Sequence, residues 1–463
     1  MNTEIIPDHR SLWFLPLGGC GEIGMNLNLY GHDRQWLMVD CGITFEPGRQ
    51  HEVIMPDPTF IRQRRQSLCG MIITHAHEDH IGAVPYLWPQ LDCPIYTTPF
   101  TAEILRRKLA SAGLLARVTI IEVNAGEICK IGPFNVEWLR LTHSIPEPNA
   151  LIIRTPAGHI FHTADWKLDP SPIVGPSYDR IRLQQLANEN IRAMVCDSTN
   201  ALVPGHSVSE STLYAGLKKA VVGCEGRVFV GCFGSNIARL LTLARIAQET
   251  GRYMCLLGRS LQNMVAAAKA QGLWPNDFKL IEPSHAGYLP AQELLAVATG
   301  SQGEPRTALW QLANGRHPAL ELEPGDTVIF SARTIPGNEP AVARLQSALK
   351  SRSVHLVTPE HCDLPIHASG HPCQDELRQM YQWVRPHIAI PVHGEAAHMA
   401  QNASIARACH VPYTLTGTNG DLFLLEGAPR CLRKAAPVGR LLLTPEGRLQ
   451  SAPQCSNFVP IAG

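Results

Sequence analysis

Residues 75–80 of this 463-residue chain read His-Ala-His-Glu-Asp-His, directly after the apolar run Met71-Ile72-Ile73-Thr74. Three imidazoles and the Asp79 carboxylate put metal-competent groups too densely for any packing role. At a strand end, alternate residues point the same way, so His75 and His77 can grip one ion, each through a Zn–N bond of about 2.0–2.1 Å. Asp79 and His80, beyond the turn, can hold a second ion. Two ions about 3.5–4 Å apart activate one water and clamp the attacking and leaving oxygens of a phosphodiester.

Such a centre needs more ligands than one loop supplies, and other strand ends offer them. Thr142-His143-Ser144 follows an apolar strand pattern over 137–141, and Thr163-Ala164-Asp165 follows 158–162. Ile388-Ala389-Ile390-Pro391-Val392 runs into His393-Gly394-Glu395. Strand ends that carry ligand-type residues are expected to converge on one cleft.

The order His-x-His-x-Asp-His, His143, Asp165, His393 resembles the metallo-β-lactamase superfamily. Later segments resemble its β-CASP nucleases, and among those the ribonuclease J family. They are Pro16-Leu17-Gly18-Gly19-Cys20-Gly21-Glu22-Ile23-Gly24, Cys196-Asp197-Ser198-Thr199-Asn200, Ile335-Pro336-Gly337-Asn338-Glu339, His367-Ala368-Ser369-Gly370-His371 and Pro391-Val392-His393-Gly394-Glu395. The resemblance implies a metallo-β-lactamase αββα sandwich with an inserted β-CASP α/β domain. It implies two Zn2+, with Mn2+ or Mg2+ as alternatives: His75, His77 and His143 on one, Asp79, His80 and His393 on the other, and Asp165 bridging. Asp79 would count among the catalytic residues as well. Asp40, ending the strand over 36–39, would orient the ligand loop. His371 would protonate the leaving 3′ oxygen, held by Asp197. Ser235, Asn236, Arg333, His367, Ser369 and Gly370 would bind substrate, with Gly234-Ser235-Asn236 able to hold a 5′-phosphate at a helix start.

Composition sets limits. The chain has 40 Lys+Arg against 40 Asp+Glu, so it lacks the positive balance of many nucleic-acid binders. Affinity for RNA must come from a local groove, with Arg62, Arg64, Arg65, Arg239, Arg259 and Arg333 as candidate contacts. Arg106-Arg107-Lys108 is expected on a solvated helix face. The 14 cysteines form no Cys-x-x-Cys pair and read as reduced core thiols. No leader pattern and no long apolar run appears, so a soluble cytoplasmic protein without membrane contact is expected.

The elements that position these residues follow from periodicity. Residues 12–17, 27–30 and 36–39 read as strands, 99–112 as a helix, and 117–165 again as strands. From about 200 a βα pattern begins: helix 208–222, strand 227–230, helix 235–250, strand 253–257. Helices 374–384 and 396–409 flank the His393 strand. The expected organisation is a metallo-β-lactamase domain in two parts, 1–204 and 356–430, a β-CASP domain over 205–355, and a C-terminal tail, 431–463. That tail is read as lacking the further C-terminal domain usual in the family. Gly19-Cys20-Gly21-Glu22-Ile23-Gly24 matches a dinucleotide fingerprint, but that motif requires a following helix and 25–30 alternates as a strand.

The leading expectation is a two-metal ribonuclease using metal-bound hydroxide, as a 5′→3′ exonuclease, an endonuclease or both, in RNA maturation and decay. Its partner is single-stranded RNA, with a homodimer as the assembly to test. The alternatives are a DNA nuclease or small-ester metallohydrolase on the same core, and a catalytically inactive RNA-binding paralogue.

Overall fold

A computed structural model describes residues 5–45, 53–335 and 337–452. Pro336 of the 335–339 stretch and residues 453–463 of the tail lie outside the described residues.

Two sheets stack face to face. The first has eight strands in the order Arg430–Leu432, Leu422–Leu424, Trp13–Gly18, Leu27–His32, Gln35–Val39, Leu68–Ile72, Ile95–Thr97, Ile120–Glu122. The second has seven: Tyr413–Thr414, Ile388–Val392, Ile191–Asp197, Gly158–His162, Asn149–Thr155, Phe134–Arg140, Ile128–Ile131. Between them lies a core that includes Phe14, Tyr30, Val39 and Ile72 from one sheet and Trp138, Ile153, Val195 and Ile390 from the other. The outer faces are covered by helices: Pro99–Ser111 packs on the first, and Gln374–Val384 with Ala396–Ala408 on the second. Strands buried on both faces need apolar residues at consecutive positions, which explains the unbroken run Ile388–Val392. The architecture is the expected αββα sandwich.

Strand direction decides where the site forms. Gln35–Val39 runs parallel to Leu68–Ile72, and Gly158–His162, Ile191–Asp197 and Ile388–Val392 run parallel to one another. Phe134–Arg140 is two antiparallel steps from Gly158–His162 and shares its direction. The segments after these strands therefore leave their sheets at common edges, and these segments carry Asp40, residues 75–80, His143, Asp165 and His393.

A third sheet holds six parallel strands in the order Leu280–Ile281, Tyr253–Leu257, Leu294–Ala298, Val228–Gly231, Thr327–Phe330, His355–Val357. Helices cover both faces, as parallel sheets require: Ile237–Glu249 and Arg259–Ala270 pack into one apolar cluster, Ala308–Ala313 and Glu339–Lys350 into another. Arg259–Ala270 also packs against Pro99–Ser111 of the sandwich, bringing Leu261 and Val265 into one cluster with Ile104 and Leu105. Residues 430–451, reaching into the expected tail, include three strands. Arg440–Leu443 pairs with Val53–Pro56 and with Leu449–Ser451, extending the sandwich by a small four-stranded sheet.

Candidate metal centre and catalytic cleft

The loop over 75–80 is shorter than the sequence suggested: Glu78–Ile81 is already a helical turn, and it carries Asp79 and His80. The turn folds His80 back under Asp40. Asp40 Oδ2 accepts from His80 Nδ1 at 2.7 Å, and its Oδ1 accepts from the Thr74 amide at 2.8 Å and hydroxyl at 3.0 Å. Asp40 is fully buried and sits at φ 65°, a left-handed conformation costly for a non-glycine residue. His393 at φ 51° is a second such residue. Strain of this kind persists where surrounding bonds over-determine it, and both residues border the cluster.

Two groups of donor atoms meet there, each within 4.8 Å of one another. One contains His75, His77, His143 and Asp165; the other contains Asp79, His80, Asp165 and His393. Asp165 belongs to both. Its Oδ2 lies 3.2 Å from His80 Nε2 and 3.7 Å from His143 Nε2, and its Oδ1 lies 3.8 Å from His393 Nδ1. His77 Nδ1 is 3.1 Å from His75 Nε2 and 3.0 Å from His143 Nε2, three nitrogens turned toward one point. The backs of the rings are fixed by other groups. His143 Nδ1 donates to the Gly370 carbonyl at 2.6 Å, and His75 Nδ1 lies 3.0 Å from the Thr74 hydroxyl.

The electrostatics suit cations. Burial first, then the neighbouring imidazoles, push His75 and His143 well below the ordinary histidine range; burial likewise takes His77 down to about 4. Neutral imidazoles are what metal binding requires. His80 is the exception: burial opposes its charge, but Asp165, Asp79 and Asp40 together raise it well above that range. Three carboxylates around one imidazole leave excess negative charge that a proton, or better a metal ion, neutralises. The donor set of buried imidazoles and carboxylates thus fits zinc and, through its oxygens, harder ions.

Beside the cluster stands His371, whose Nδ1 donates to Asp197 Oδ2 at 2.8 Å. Asp197 is fixed in turn, accepting at Oδ1 from the amide and hydroxyl of Thr199 at 2.8 and 2.7 Å. Asp165, Asp197 and His371 also form a third group with metal-competent spacing.

The substrate-binding candidates divide. Ser369 Oγ accepts from Asn200 Nδ2 at 2.8 Å, and Gly370 serves through its carbonyl, because a Cβ there would stand 2.6 Å from the His143 ring. Asn236 caps the helix Ile237–Glu249, accepting from the Arg239 amide at 3.0 Å, and donates to Glu210 at 2.9 Å, so its side chain is spent internally. His367 keeps a buried Nδ1 without a hydrogen-bond partner, and burial first, Arg239 second, take its pKa down to about 4. Ser235 is half-buried and Arg333 exposed.

Among the basic candidates, Arg239 is no surface contact. It is buried and donates to Glu210 at 2.8 and 3.0 Å and to the Ser331 carbonyl at 2.8 Å. Arg62, Arg64 and Arg65 precede the strand Leu68–Ile72 and line a cleft of about 400 Å³ at the end of the sheet opposite the histidines. Arg106, Arg107 and Lys108 pair with Glu122, Glu103 and Glu78. Sequence reading missed Thr74 and Asn26, both in hydrogen-bond contact with ligand-type histidines.

Comparison with known proteins shows the family and the fold. Residues 25–206 match the metallo-beta-lactamase superfamily, 225–349 the beta-CASP domain of ribonuclease J, and 365–408 the Zn-dependent metallo-hydrolase RNA specificity domain. The chain is 43% identical over 439 residues to ribonuclease J of Sinorhizobium meliloti, covering 93% of this chain and 77% of that one. It is 36% identical over 425 residues to ribonuclease J of Synechocystis, covering 90% of this chain and 66% of that one. With ribonuclease J of Mycolicibacterium smegmatis the identity is 36% over 435 residues, 92% and 77% of the two chains. A crystal structure of a protein of unknown function from Enterococcus faecalis shares the fold, with a TM-score of 0.62, 16% identity and coverage of 89% of this chain and all of that one.

Proposed function

The chain belongs to the ribonuclease J family of metallo-β-lactamase-fold proteins, and from that premise we propose that it hydrolyses RNA phosphodiesters at a two-metal centre. His75, His77 and His143 would hold one ion, Asp79, His80 and His393 the other, with Asp165 shared. The observation that carries this reading is the pair of donor groups meeting at Asp165. When bound, the ions supply Lewis acidity toward the phosphate and bring the pKa of water beside them toward about 7.

The chain's own residues do the rest. His371 keeps Nδ1 on Asp197, which leaves Nε2 as the proton-carrying atom. As a water oxygen bonds to phosphorus and the P–O3′ bond breaks, the departing 3′ oxygen takes that proton, leaving a 3′ hydroxyl and a 5′-phosphate. Asp197 steadies the imidazolium before the transfer. Ser235, Ser369 and His367 would meet the substrate's phosphate end, and the exposed Arg259 and Arg333 its backbone.

Zinc is the expected metal, manganese or magnesium the alternatives, and single-stranded RNA the partner, with 5′→3′ exonucleolytic and endonucleolytic cleavage as the modes. The 13 free cysteines among the described residues support a reducing, cytoplasmic setting, and no helix there is long and apolar enough to cross a membrane. Incubation of metal-loaded protein with single-stranded RNA, single-stranded DNA and a small ester tests the reading. RNA hydrolysis yielding 5′-phosphate ends supports it; turnover of the ester alone refutes it.

A further inference from the structure

We propose that Asn26 is the positioning residue that presets the second metal half-site, by holding His393 and the backbone of Asp79, from opposite ends of the chain, in ligand geometry. The inference rests on the two-metal reading and deepens it.

Asn26 lies just past the glycine turn 18–24, and its side-chain amide and backbone N–H are turned toward ligand residues or the backbone that carries them. Its Oδ1 accepts from His393 Nδ1 at 2.9 Å. That bond fixes the His393 tautomer with the proton on Nδ1, leaving the Nε2 lone pair open; Nε2 stands 3.6 Å from Asp79 Oδ2. Its Nδ2 donates to the Asp79 carbonyl at 3.1 Å and lies 3.1 Å from His80 Nε2. The backbone repeats the grip: the Asn26 amide donates to the same Asp79 carbonyl at 2.9 Å, and its carbonyl accepts from Gly42 at 2.9 Å. The buried His393 and the Asp79 backbone thus share one amide between them, while the outward nitrogen of His80 is held by Asp40.

Three other ligand histidines have separate outward partners, Thr74 for His75, Gly370 for His143 and Asp40 for His80. At the second half-site one side chain reaches both His393 and the backbone of Asp79. This also gives the glycine turn a reason. Gly19 has φ 83°, a Cβ there would stand 2.2 Å from Asn26 Oδ1, and the Gly19 carbonyl accepts from the His393 amide at 2.6 Å. The turn clears room for the amide and ties down the same histidine. An outer partner of this kind typically contributes 10–100-fold in metal affinity.

The test is titration of metal-free protein with Co2+, read by calorimetry and by the visible absorption of the bound ion. Wild type is expected to take up two equivalents and His393→Ala one. Asn26→Leu should bind its second equivalent about 10–100-fold more weakly with the first unchanged. Asn26→Asp, which keeps the acceptor facing His393 Nδ1, should recover much of that loss, and Gly19→Ala, which displaces the amide, should reproduce it. Circular dichroism of each metal-free variant separates weak binding from misfolding. Two equivalents with wild-type affinity in folded Asn26→Leu overturn the clamp alone. A single equivalent in wild type overturns the two-metal reading and the clamp with it.

Discussion

His371 donates from Nδ1 to Asp197 Oδ2 across 2.8 Å, joining residues 174 positions apart in sequence. Asp197 closes the strand Ile191–Asp197 of the sandwich, while His371 precedes the helix Gln374–Val384 on the return from the parallel-sheet insertion. The pair stands beside the histidine and aspartate cluster. Under the proposed function the proton donor and the metal ligands would come from different segments, so the two roles should be separable by mutation.

His371→Ala should retain the wild-type metal content yet lose on the order of 10²–10⁴ in rate, the usual contribution of a positioned acid. Asp197→Asn should lose less, since Thr199 still braces it. Elemental analysis beside the rate assay checks this. Metal lost in step with activity would make His371 a ligand, a role its spacing to Asp165 also permits.

Asp40→Ala removes the acceptor for His80 Nδ1 and for Thr74 together. Metal affinity should fall about 10–100-fold while the fold persists. Competition with a chromogenic chelator measures the change, and unchanged affinity would show that the turn orients itself without Asp40.

Away from the cleft, the buried pair Glu210–Arg239 sets a pH limit on the insertion. Burial pushes the Glu210 carboxyl up, but the Arg239 guanidinium outweighs it and the net shift is downward. A carboxyl depressed in the folded state contributes stability above its unfolded pKa of about 4.3, lost as pH falls through the folded value. Glu210→Gln should flatten that acid limb in urea melts. Glu210→Ala, which strands a buried guanidinium, should cost about 3–5 kcal/mol at neutral pH.

Exonucleolytic decay should prefer 5′-monophosphate over triphosphate ends if the residues at the helix start form a phosphate pocket. Ser235→Ala is the cleaner probe, because Ser369 also accepts from the His371 amide at 3.3 Å. Equal decay of both RNAs, unchanged by Ser235→Ala, would describe an endonuclease without end sensing. With a net-neutral chain, the salt dependence of binding should be shallow.

The ligand-type residues were legible because they are side chains at strand ends, where local pattern and residue type point the same way. His75, His143, Asp165 and His393 all follow this rule, and residues 374–384 are helical as their periodicity indicates. The misreadings share a different cause. Arg239 looks like a surface cation until Glu210, 29 positions away, is brought against it. The Asn236 side chain is spent as a helix cap and on Glu210, 26 positions away, a partner with no local signature. Gly370 acts through a backbone carbonyl and Asn26 through an amide between residues 53 and 367 positions away, relationships with no local signature.

The most direct test of the account is metal content and RNA hydrolysis measured together on zinc-supplemented wild type, His77→Ala and Asp165→Ala. The account predicts up to two ions per wild-type chain, cleavage of single-stranded RNA to 5′-phosphate products, and joint loss of metal and activity in both variants. No bound metal in wild type, or RNA cleavage that survives in metal-free Asp165→Ala, would contradict it.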